Sequence, residues 1–569
     1  MAFELDTLSY TLLATIVGTA ALLSARNSKT SDIHPLLLNT QSDVSRLRYP
    51  GESAIYRSRM YPTSTPLCST FERSIRTLAD FYKAGGIKKH SNTEFLKQDN
   101  GYATYEKIGQ KSQFVYQGLR VLSKLVPQSK DENSFVGIYA LNSYYTVLTE
   151  IACHMHGLVT VPVSAHASSS HLSNVLEKTS LKVLIVDSSL LQVVLNTASN
   201  NSSLKHIVII GDISDLHKKE AQNAGIELIS FTDLEKKGEN EKYDDIQVAP
   251  NDVASIYFNS AGEKESKHGV VLTQKNLLSS ISSYLLTIPP QQKITTKDRL
   301  MLNLPIDNVL GHVLTAAVSF LGGSVVFGPE INGSDNIDVA AHLSLVAKNK
   351  PTIFARQVNK SNKKKNENDT WFCSGSWFLK QVKQLIESYY GKSFLFKRGY
   401  DVKKEYLKEG RLVGDCKYDT LVFRSAHQNL FGGNLRLIYI DNDDNTDLEL
   451  TTFLRIVLST QVIQTFSLPE TTSTIVASMF YDYNTAPEAR GAPLPCNEVK
   501  LVDLQERSLT AEDKPNPRGE IWVRGNNVFS GYYKDEQATS DVLDSDGWFT
   551  TGYLGEILPN GALKVLEKK

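Results

Sequence analysis

Short apolar runs alternate with segments of helical spacing along most of the chain. The runs cover residues 135–140, 158–163, 183–186 and 206–211, and turn residues follow each of them. The segment TVLTEIACHMHG, between the first two runs, has helical spacing, as does the stretch 71–84. Strands that are apolar on both faces and alternate with helices are typical of parallel sheets covered by helices. The pattern predicts an α/β fold.

One stretch, YFNSAGEKESKHGVVLTQKNL at residues 257–277, combines several signals. A strand predicted over 253–258 leads into a loop that contains Gly262 and Gly269, and a helix is expected to begin after Thr273. A strand, a small-residue loop with a lysine, and then regular structure can direct backbone N–H groups at phosphates. The tip of this loop, however, carries three charged residues: Glu263, Lys264 and Glu265. Two carboxylates there oppose the binding of a polyphosphate.

Composition narrows the class of protein. The chain has 569 residues, of which 41% are hydrophobic and 22% charged, as in ordinary globular proteins. A formal net charge of -1 gives no reason to expect a nucleic-acid partner. Five cysteines lie far apart without a CxxC pair, so neither a disulfide framework nor a structural zinc site is expected: Cys68, Cys153, Cys373, Cys416 and Cys496.

The N-terminus differs from the rest because residues 7–25 carry no charge. Nineteen residues of helix at about 1.5 Å each approach the thickness of a bilayer core. Glu4 and Asp6 precede this run, whereas Arg26 and Lys29 follow it, which favours a cytosolic body. We predict a single membrane-spanning helix. A cleaved signal or mitochondrial targeting segment, and a buried helix, are the alternatives.

Three clusters of residues could form binding sites, but each is better explained by a structural role. The lysine-rich stretch 359–370 suits an anionic lipid or phosphate, yet a solvated loop is typical of such composition. The acidic stretch 441–447 lacks the glycine and distal glutamate of a calcium loop, which favours a polar turn. Cys153, His154 and His156 lie in an apolar helical segment, which favours core packing over a metal site.

Several longer motifs resemble one family. GEIWVRGNNVFSGYYKDEQATSDVLDSDGWFTTGYLGEI at 519–557 is similar to the signature of the adenylate-forming (AMP-binding) superfamily. GAPLPCNEVKLVD at 491–503 and HGVVLTQKNL at 268–277 resemble its adenine-side segment and the end of its phosphate loop. GESAIYRS at 51–58 resembles the N-terminal region of its eukaryotic long-chain acyl-CoA synthetase branch.

The resemblance implies an architecture. The large domain of the family has two mostly parallel sheets with flanking helices and a distorted β-barrel. We therefore expect a membrane anchor over 1–29, a tether over 30–70 and the large domain over 71–566. Residues 567–569 resemble the start of the family hinge, and the family's small C-terminal domain would be absent after them.

The resemblance also implies a reaction: ATP and Mg²⁺ activate a fatty acid as an acyl-adenylate, and coenzyme A then accepts the acyl group. The residues that match the family's nucleotide site depart from its pattern. In the phosphate loop Ser260 and Gly262 remain, and Lys267 stands near the expected lysine before Gly269. Asn308 stands where a histidine is usual and can hydrogen-bond but not titrate near neutrality.

The remaining departures lie around the adenine, ribose and magnesium positions. Tyr439 and its neighbours replace a small Gly/Ser-Ala-Pro turn that lies against adenine. Glu470 matches the Mg²⁺ ligand, but Pro469 replaces the phosphate-binding threonine. Tyr553 replaces the aspartate that accepts both ribose hydroxyls. Glu470 is thus the only retained candidate for a catalytic or metal-binding residue.

These departures favour a catalytically degenerate synthetase homologue that binds a fatty acid, an acyl-CoA or an active synthetase partner, and for which no cofactor is expected. An active ligase that uses ATP, Mg²⁺ and coenzyme A, and a truncated gene remnant, are the alternatives. By analogy with the family, the endoplasmic reticulum is the expected membrane. The mitochondrial outer membrane and the lipid droplet remain alternatives.

Overall fold

The computed structural model describes residues 6–27, 31–128, 131–198, 203–244, 246–258, 267–328, 339–358, 375–442, 448–484, 486 and 488–569. Two of the loops considered above, 259–266 and 359–374, lie outside these residues. The described chain forms helices, strands and short helical turns in an alternating order. The predicted α/β class is confirmed.

The helices take the following bounds: α1 Thr7–Asn27, α2 Pro35–Leu38, α3 Leu78–Ala84, α4 Gly86–Lys89, α5 Tyr105–Ser123, α6 Tyr144–His156, α7 Ser169–Thr179, α8 Leu191–Ala198, α9 Asp215–Asn223, α10 Phe231–Glu239, α11 Gln274–Thr287, α12 Val309–Phe320, α13 Val339–Asn349, α14 Gly375–Tyr390, α15 Phe394–Lys408, α16 Arg424–Phe431, α17 Leu448–Leu458 and α18 Glu536–Val542.

The strands take the following bounds: β1 Ser42–Val44, β2 Tyr56–Ser58, β3 Glu94–Gln98, β4 Gly101–Thr104, β5 Phe135–Tyr139, β6 Val159–Val163, β7 Val183–Asp187, β8 His206–Ile210, β9 Glu227–Ser230, β10 Val253–Tyr257, β11 Val270–Thr273, β12 Arg299–Asn303, β13 Ser324–Phe327, β14 Ile353–Val358, β15 Leu437–Asn442, β16 Gln461–Leu468, β17 Ser473–Ala477, β18 Ala489–Pro493, β19 Asn497–Val502, β20 Arg518–Gly525, β21 Phe549–Ile557 and β22 Leu563–Lys568.

The smaller sheet has seven strands in the order β11-β10-β6-β5-β7-β8-β9. All its pairs are parallel except the one between β10 and β11 at the edge. The four apolar runs of the sequence form β5 to β8, so those strand predictions are confirmed. The helix between β5 and β6 also forms as predicted, and Gly157 ends it with a left-handed backbone.

The larger sheet has fifteen strands in the order β1-β2-β19-β20-β21-β22-β18-β17-β16-β15-β14-β12-β13-β3-β4. Its part from β13 to β16 is parallel, and its part from β16 to β1 is antiparallel. We predicted two mostly parallel sheets and a distorted β-barrel. The larger sheet is mixed, because β18 pairs with both β17 and β22 and makes the antiparallel strands continuous with the parallel ones.

A glycine makes this junction possible. Gly491 in β18 has φ +106°, and a Cβ atom there would lie 2.0 Å from the carbonyl oxygen of Ala477. No other residue type could bring β18 this close to β17 without moving the backbone. The junction lies beside the candidate site described below.

One helix is shorter than the helical spacing of the sequence predicts. The stretch 71–84 was predicted to be helical throughout, but α3 covers only Leu78–Ala84. Thr77 caps it: its side chain accepts a hydrogen bond from Asp80 N, while the Asp80 carboxylate accepts one from Thr77 N. This capping box fixes the start of the helix. The helix predicted to begin after Thr273 is confirmed, because Thr273 and Asn276 form the same arrangement at the start of α11.

A helix does form over the uncharged N-terminal run, as Thr7–Asn27. In the part of the chain that the structure describes, however, no helix is long and apolar enough to cross a membrane. Threonines interrupt the apolar surface of α1, and the Thr15 and Thr19 hydroxyls donate to backbone carbonyls one turn earlier. The predicted membrane-spanning helix is therefore not supported by the structure.

The segment that follows α1 packs on the body of the protein. The β1–β2 hairpin joins the larger sheet beside β19. The Tyr483 hydroxyl donates to Asp32 at 2.7 Å, and Gln41 Nε2 donates to Asp482 at 2.7 Å. Residues 31–60 thus form one wall of the region around the ends of β16 and β17.

Candidate functional site

The carboxyl end of β16 carries Glu470, the residue predicted to hold Mg²⁺. Pro469 begins a single helical turn immediately after β16, which places Glu470 beside the segment that follows β20. The Tyr532 hydroxyl donates to Glu470 Oε1 at 3.0 Å. Burial raises the pKa of Glu470, although this hydrogen bond and the charge of Lys568 oppose the shift.

The phosphate-loop region is described only from Lys267 onward, so Ser260 and Gly262 lie outside the described residues. The Lys267 carbonyl accepts from Lys178 Nζ at 2.7 Å, and His268 Nδ1 lies 2.8 Å from Asp535 Oδ2. Gly269 fits tightly, since a Cβ there would lie 2.6 Å from the Phe258 ring. The strand after the loop is therefore held in place by backbone and side-chain contacts.

Asn308 caps α12, and its side-chain oxygen accepts from Leu310 N at 2.9 Å. Its amide group also donates to Asp441 Oδ2 at 3.3 Å. Asp441 is buried in β15, where the Thr465 hydroxyl donates to its other oxygen at 2.9 Å. Burial raises the pKa of Asp441. The prediction of a polar turn is wrong for Asp441, which belongs to a strand; residues 443–447 lie outside the described residues.

This polar contact extends into a network across three strands. Ser467 Oγ lies 3.0 Å from Thr474 Oγ1 and 3.5 Å from Thr465 Oγ1. The Tyr284 hydroxyl, on α11, hydrogen-bonds to Thr474 Oγ1. Hydroxyl and amide groups of α11, α12 and the strands therefore bond mainly to one another. The network occupies the space between Asn308 and the interior of the sheet.

Tyr553 lies in β21 and is buried. Its ring contacts the Phe466 ring edge-on at a centroid distance of 5.1 Å, and Lys568 Nζ lies 5.6 Å from its centroid. The sequence predicted that this tyrosine replaces a ribose-binding carboxylate. In the structure the side chain is part of the hydrophobic core beside β16.

A cavity of about 330 Å³ lies at the opposite end of the same strands. The apolar and aromatic residues of its lining include Tyr284, Tyr439, Ile463, Ala477, Met479, Phe480, Ala492, Pro493 and Leu494. Residues of the N-terminal segment also line it, among them Asp32, Ile33, Gln41, Arg59 and Met60. A largely apolar cavity of this size is suited to a small apolar ligand.

Two tyrosines lie where this cavity meets the polar network, since the Tyr284 hydroxyl belongs to that network. Tyr284 and Tyr439 both line the cavity, and their rings meet edge-on at 5.9 Å. Tyr439 was predicted to narrow an adenine slot; the structure places it in the middle of β15, buried in the cavity wall. Strand direction places Ile463 and Ala477 at the cavity end, whereas Glu470 and Ser473 lie at the other end.

The described residues contain no group of three or more His, Cys, Asp or Glu side chains able to hold a metal ion. Glu470 Oε1 accepts the hydrogen bond of the Tyr532 hydroxyl described above. Cys153 and His154 are buried, and His154 Nε2 lies 2.9 Å from Ser255 Oγ, which confirms core packing for these two residues.

Sequence reasoning missed two parts of the site. Asp441, Thr465 and Thr474 come together only because β15, β16 and β17 are neighbours, and no short motif links them. The contribution of the N-terminal segment to the cavity was also missed, because a polar segment carries no signal for long-range packing. Gln41 and its partner Asp482 are 441 positions apart in the chain, which explains the failure.

Comparison with known proteins agrees with this architecture. The family model described as "AMP-binding enzyme" matches residues 85–533. The long chain acyl-CoA synthetase 6, peroxisomal, of Arabidopsis thaliana is 27% identical over 95% of this chain and 72% of its own length. Long-chain-fatty-acid–CoA ligase 1 of Cavia porcellus is 28% identical over 94% of this chain and 73% of its own length.

Solved structures share the fold at low identity. The N-terminal domain of FACL13 from Mycobacterium tuberculosis has a TM-score of 0.61 at 15% identity, with 87% of this chain and all of that domain covered. The long-chain-fatty-acid-CoA ligase FadD1 from Archaeoglobus fulgidus has a TM-score of 0.61 at 17% identity, with 88% and 86% covered. With a family model that matches most of its length, this chain belongs to the AMP-binding enzyme family and is similar to its long-chain acyl-CoA synthetases.

Proposed function

We propose that the protein binds a long-chain acyl ligand but does not activate it with ATP. The observation that carries this proposal is the position of Tyr553. Its ring is buried against Phe466 where the family resemblance implies a ribose-binding carboxylate. A phenol cannot accept hydrogen bonds from two ribose hydroxyls as a carboxylate can. Pro469, in the adjacent turn, supplies neither a hydroxyl nor an N–H for a phosphate.

The cavity supports the acyl part of the proposal. It is lined mainly by apolar and aromatic side chains, and it lies between α11 and the strands β15 to β18. Relatives named as long-chain acyl-CoA synthetases and long-chain-fatty-acid–CoA ligases match 94–95% of the chain. An acyl chain is the part of such ligands that this cavity would bury, because apolar surface removed from water stabilises the complex.

The experiment is fatty-acid-dependent exchange of labelled pyrophosphate into ATP, measured on the full chain. Ligase 1 of Cavia porcellus is the positive control, and heat-treated protein is the background. We expect no exchange above background from this chain, together with measurable binding of a fatty acid to the same preparation. Exchange that depends on fatty acid would overturn the proposed loss of activation.

An active ligase remains the second candidate function, since one observation favours it. Glu470 retains the carboxylate of the family's magnesium position and faces Tyr532 at the end of β16. If this function is correct, replacing Glu470 by glutamine should abolish pyrophosphate exchange. The coenzyme A thioester of the fatty acid should then also form in the presence of ATP, Mg²⁺ and coenzyme A.

We also propose that residues 7–25 attach the protein to a membrane and that its body faces the cytosol. The endoplasmic reticulum is the expected membrane, and the mitochondrial outer membrane and the lipid droplet are the alternatives. Leu12, Ile16 and Val17 of α1 are exposed, which supports this proposal. An active synthetase is the partner we propose for the protein at that membrane. Extraction of membranes with alkaline carbonate should leave the protein in the pellet, and its release into the supernatant would refute stable insertion.

A further inference from the structure

The turn between α14 and α15 exposes a cluster of large apolar side chains. Tyr389 is 74% exposed, Phe394 77% and Leu395 43%. A single exposed apolar residue is ordinary, whereas three within seven positions form a patch that calls for a partner. The neighbouring aromatic ring, Tyr390, is held in place because its hydroxyl accepts from Asn429 Nδ2 at 3.1 Å. This hydrogen bond ties the end of α14, which carries the patch, to α16.

A second segment adds to the patch. A π-helical turn, Asp419–Phe423, precedes α16 and packs against α15 through the rings of Phe396 and Phe423, which lie 5.3 Å apart. Leu421 in this turn is 60% exposed, although Val422 and Phe423, which follow it, are buried. The start of α15 and the turn before α16 each carry exposed apolar side chains, and the buried rings of Phe396 and Phe423 hold the two elements together.

Exposed cationic side chains lie close to these apolar residues in sequence. Five basic residues of the same elements and their turns are exposed: Lys392, Lys397, Arg398, Lys417 and Arg424. Acidic residues also occur in these elements and their connections: Glu387, Asp401, Glu405, Glu409, Asp415 and Asp419. Asp419 is paired with Lys403, and Glu387 lies 4.0 Å from Lys383. The five cations and the four apolar residues Tyr389, Phe394, Leu395 and Leu421 are together called the basic–aromatic surface.

We propose that the basic–aromatic surface docks on an anionic lipid bilayer. Rings and leucines can enter the interface between headgroups and acyl chains, while the long stems of Lys and Arg place their charges at the phosphates. A group of about four to eight basic residues is typical of surfaces that bind anionic lipids. A protein partner is disfavoured because lysine is depleted at the centre of protein–protein interfaces, and three of the five cations are lysines.

This surface shares no residue with the N-terminal helix or with the lining of the cavity. It lies on the helices α14 to α16, whose buried residues pack in the second hydrophobic core together with β14 and β15. The inference does not rest on the proposed loss of activation, since an active or an inactive protein could dock in this way. It predicts a membrane contact that persists when the N-terminal helix is not engaged.

The test uses the full chain and vesicles of phosphatidylcholine with and without about 30% phosphatidylserine. The double variant Lys397→Glu, Arg398→Glu reverses two charges of the surface, and Phe394→Ser removes its most exposed ring. The matched controls are Lys219→Glu and Leu216→Ser on α9, where Leu216 is 63% exposed. We expect the surface variants to bind anionic vesicles about tenfold more weakly, and the controls to bind like the unmodified chain.

A second measurement locates the contact. The variant Phe394→Trp should show emission that is quenched by brominated anionic lipids, and about 0.5 M salt should remove the quenching because it screens the attraction. Equal binding by surface variants and controls, or the absence of quenching, would overturn the proposal. Self-association through this surface, seen as a dimer by light scattering that Phe394→Ser abolishes, would overturn it in favour of a second copy of the chain.

Discussion

The two ends of strands β15, β16 and β17 differ in the free space between their side chains. At one end, Ile463 and Ala477 face a cavity of about 330 Å³. At the other end, Asp441 and Thr465 bond within a polar network, and the Tyr553 ring packs on Phe466. The same backbone thus supports an open apolar space and a site filled by its own side chains. The comparison shows that the two ends of the same strands differ in the space that they leave, with a cavity at one end and mutually bonded side chains at the other.

Filling the cavity should have the largest effect on function. Ala477→Phe places a ring in the cavity, where the ligand would lose most of its buried surface. We therefore expect fatty-acid affinity to fall more than about tenfold. Calorimetric titration with palmitate measures the change. The control is Ala224→Phe at the exposed end of α9, which should bind normally.

A melting curve of Ala477→Phe must accompany the titration, since an added ring can strain a packed sheet. The account is contradicted if the variant remains folded and binds palmitate as tightly as the unmodified chain. The cavity would then not be the acyl site.

Among changes at the end of the strands opposite the cavity, replacing Tyr553 should lower the stability of the protein most. We expect Tyr553→Asp to lower the free energy of unfolding by about 3 kcal/mol, because it removes a buried ring and buries a carboxylate. Tyr553→Phe keeps the ring and should cost about 1 kcal/mol or less. Urea unfolding of both variants tests this difference. Equal stability of the two variants would show that the ring is not part of the core.

Opening the wall between the two ends should change the preferred length of the ligand. Tyr439→Ala removes one of the two rings that close the cavity, so longer chains should gain affinity over shorter ones. Each additional buried methylene is worth about 0.8 kcal/mol, or roughly fourfold in affinity. A series of saturated fatty acids measures the shift, with Tyr439→Phe as the control. An unchanged order of affinities in Tyr439→Ala would contradict the position assigned to this wall.

The smallest effect concerns pH. Burial raises the pKa of Glu470 in the folded state, so the folded protein binds more protons than the unfolded chain between the two pKa values. Stability contributed by this group therefore falls as the pH rises through that window. Glu470→Gln should be more stable than the unmodified chain at about pH 7, and the difference should shrink toward about pH 4.5. Melting temperatures across this range test the sign.

Much of the fold was predictable because its signals are local. The apolar runs that form β5 to β8 are buried on both faces, so their periodicity predicts parallel strands directly. The start of α11 was predictable from Thr273, whose cap uses residues three positions apart. The continuity of the larger sheet was not predictable, because it depends on the close approach that Gly491 permits between distant strands.

Residues of the candidate site could be predicted only where they lie in a stretch of sequence that matches a family motif. Glu470 and Tyr553 could be assigned in this way, and the structure brings both to the Phe466–Tyr532 side of β16. Asp441 was interpreted as part of a polar turn because its acidic stretch lacks the glycine and distal glutamate of a calcium loop, yet it is buried in β15. Its partners Asn308 and Thr465 come from other elements, and composition carries no information about such contacts.

The most direct test of the account compares the melting temperature of the full chain with palmitate and with Mg²⁺–ATP. A ligand that binds only the folded state raises this temperature in proportion to the logarithm of its concentration over its dissociation constant. We predict a rise that grows with palmitate concentration and is lost in Ala477→Phe, and no rise with Mg²⁺–ATP. A rise with Mg²⁺–ATP alone would contradict the central claim that the nucleotide end no longer binds its ligand.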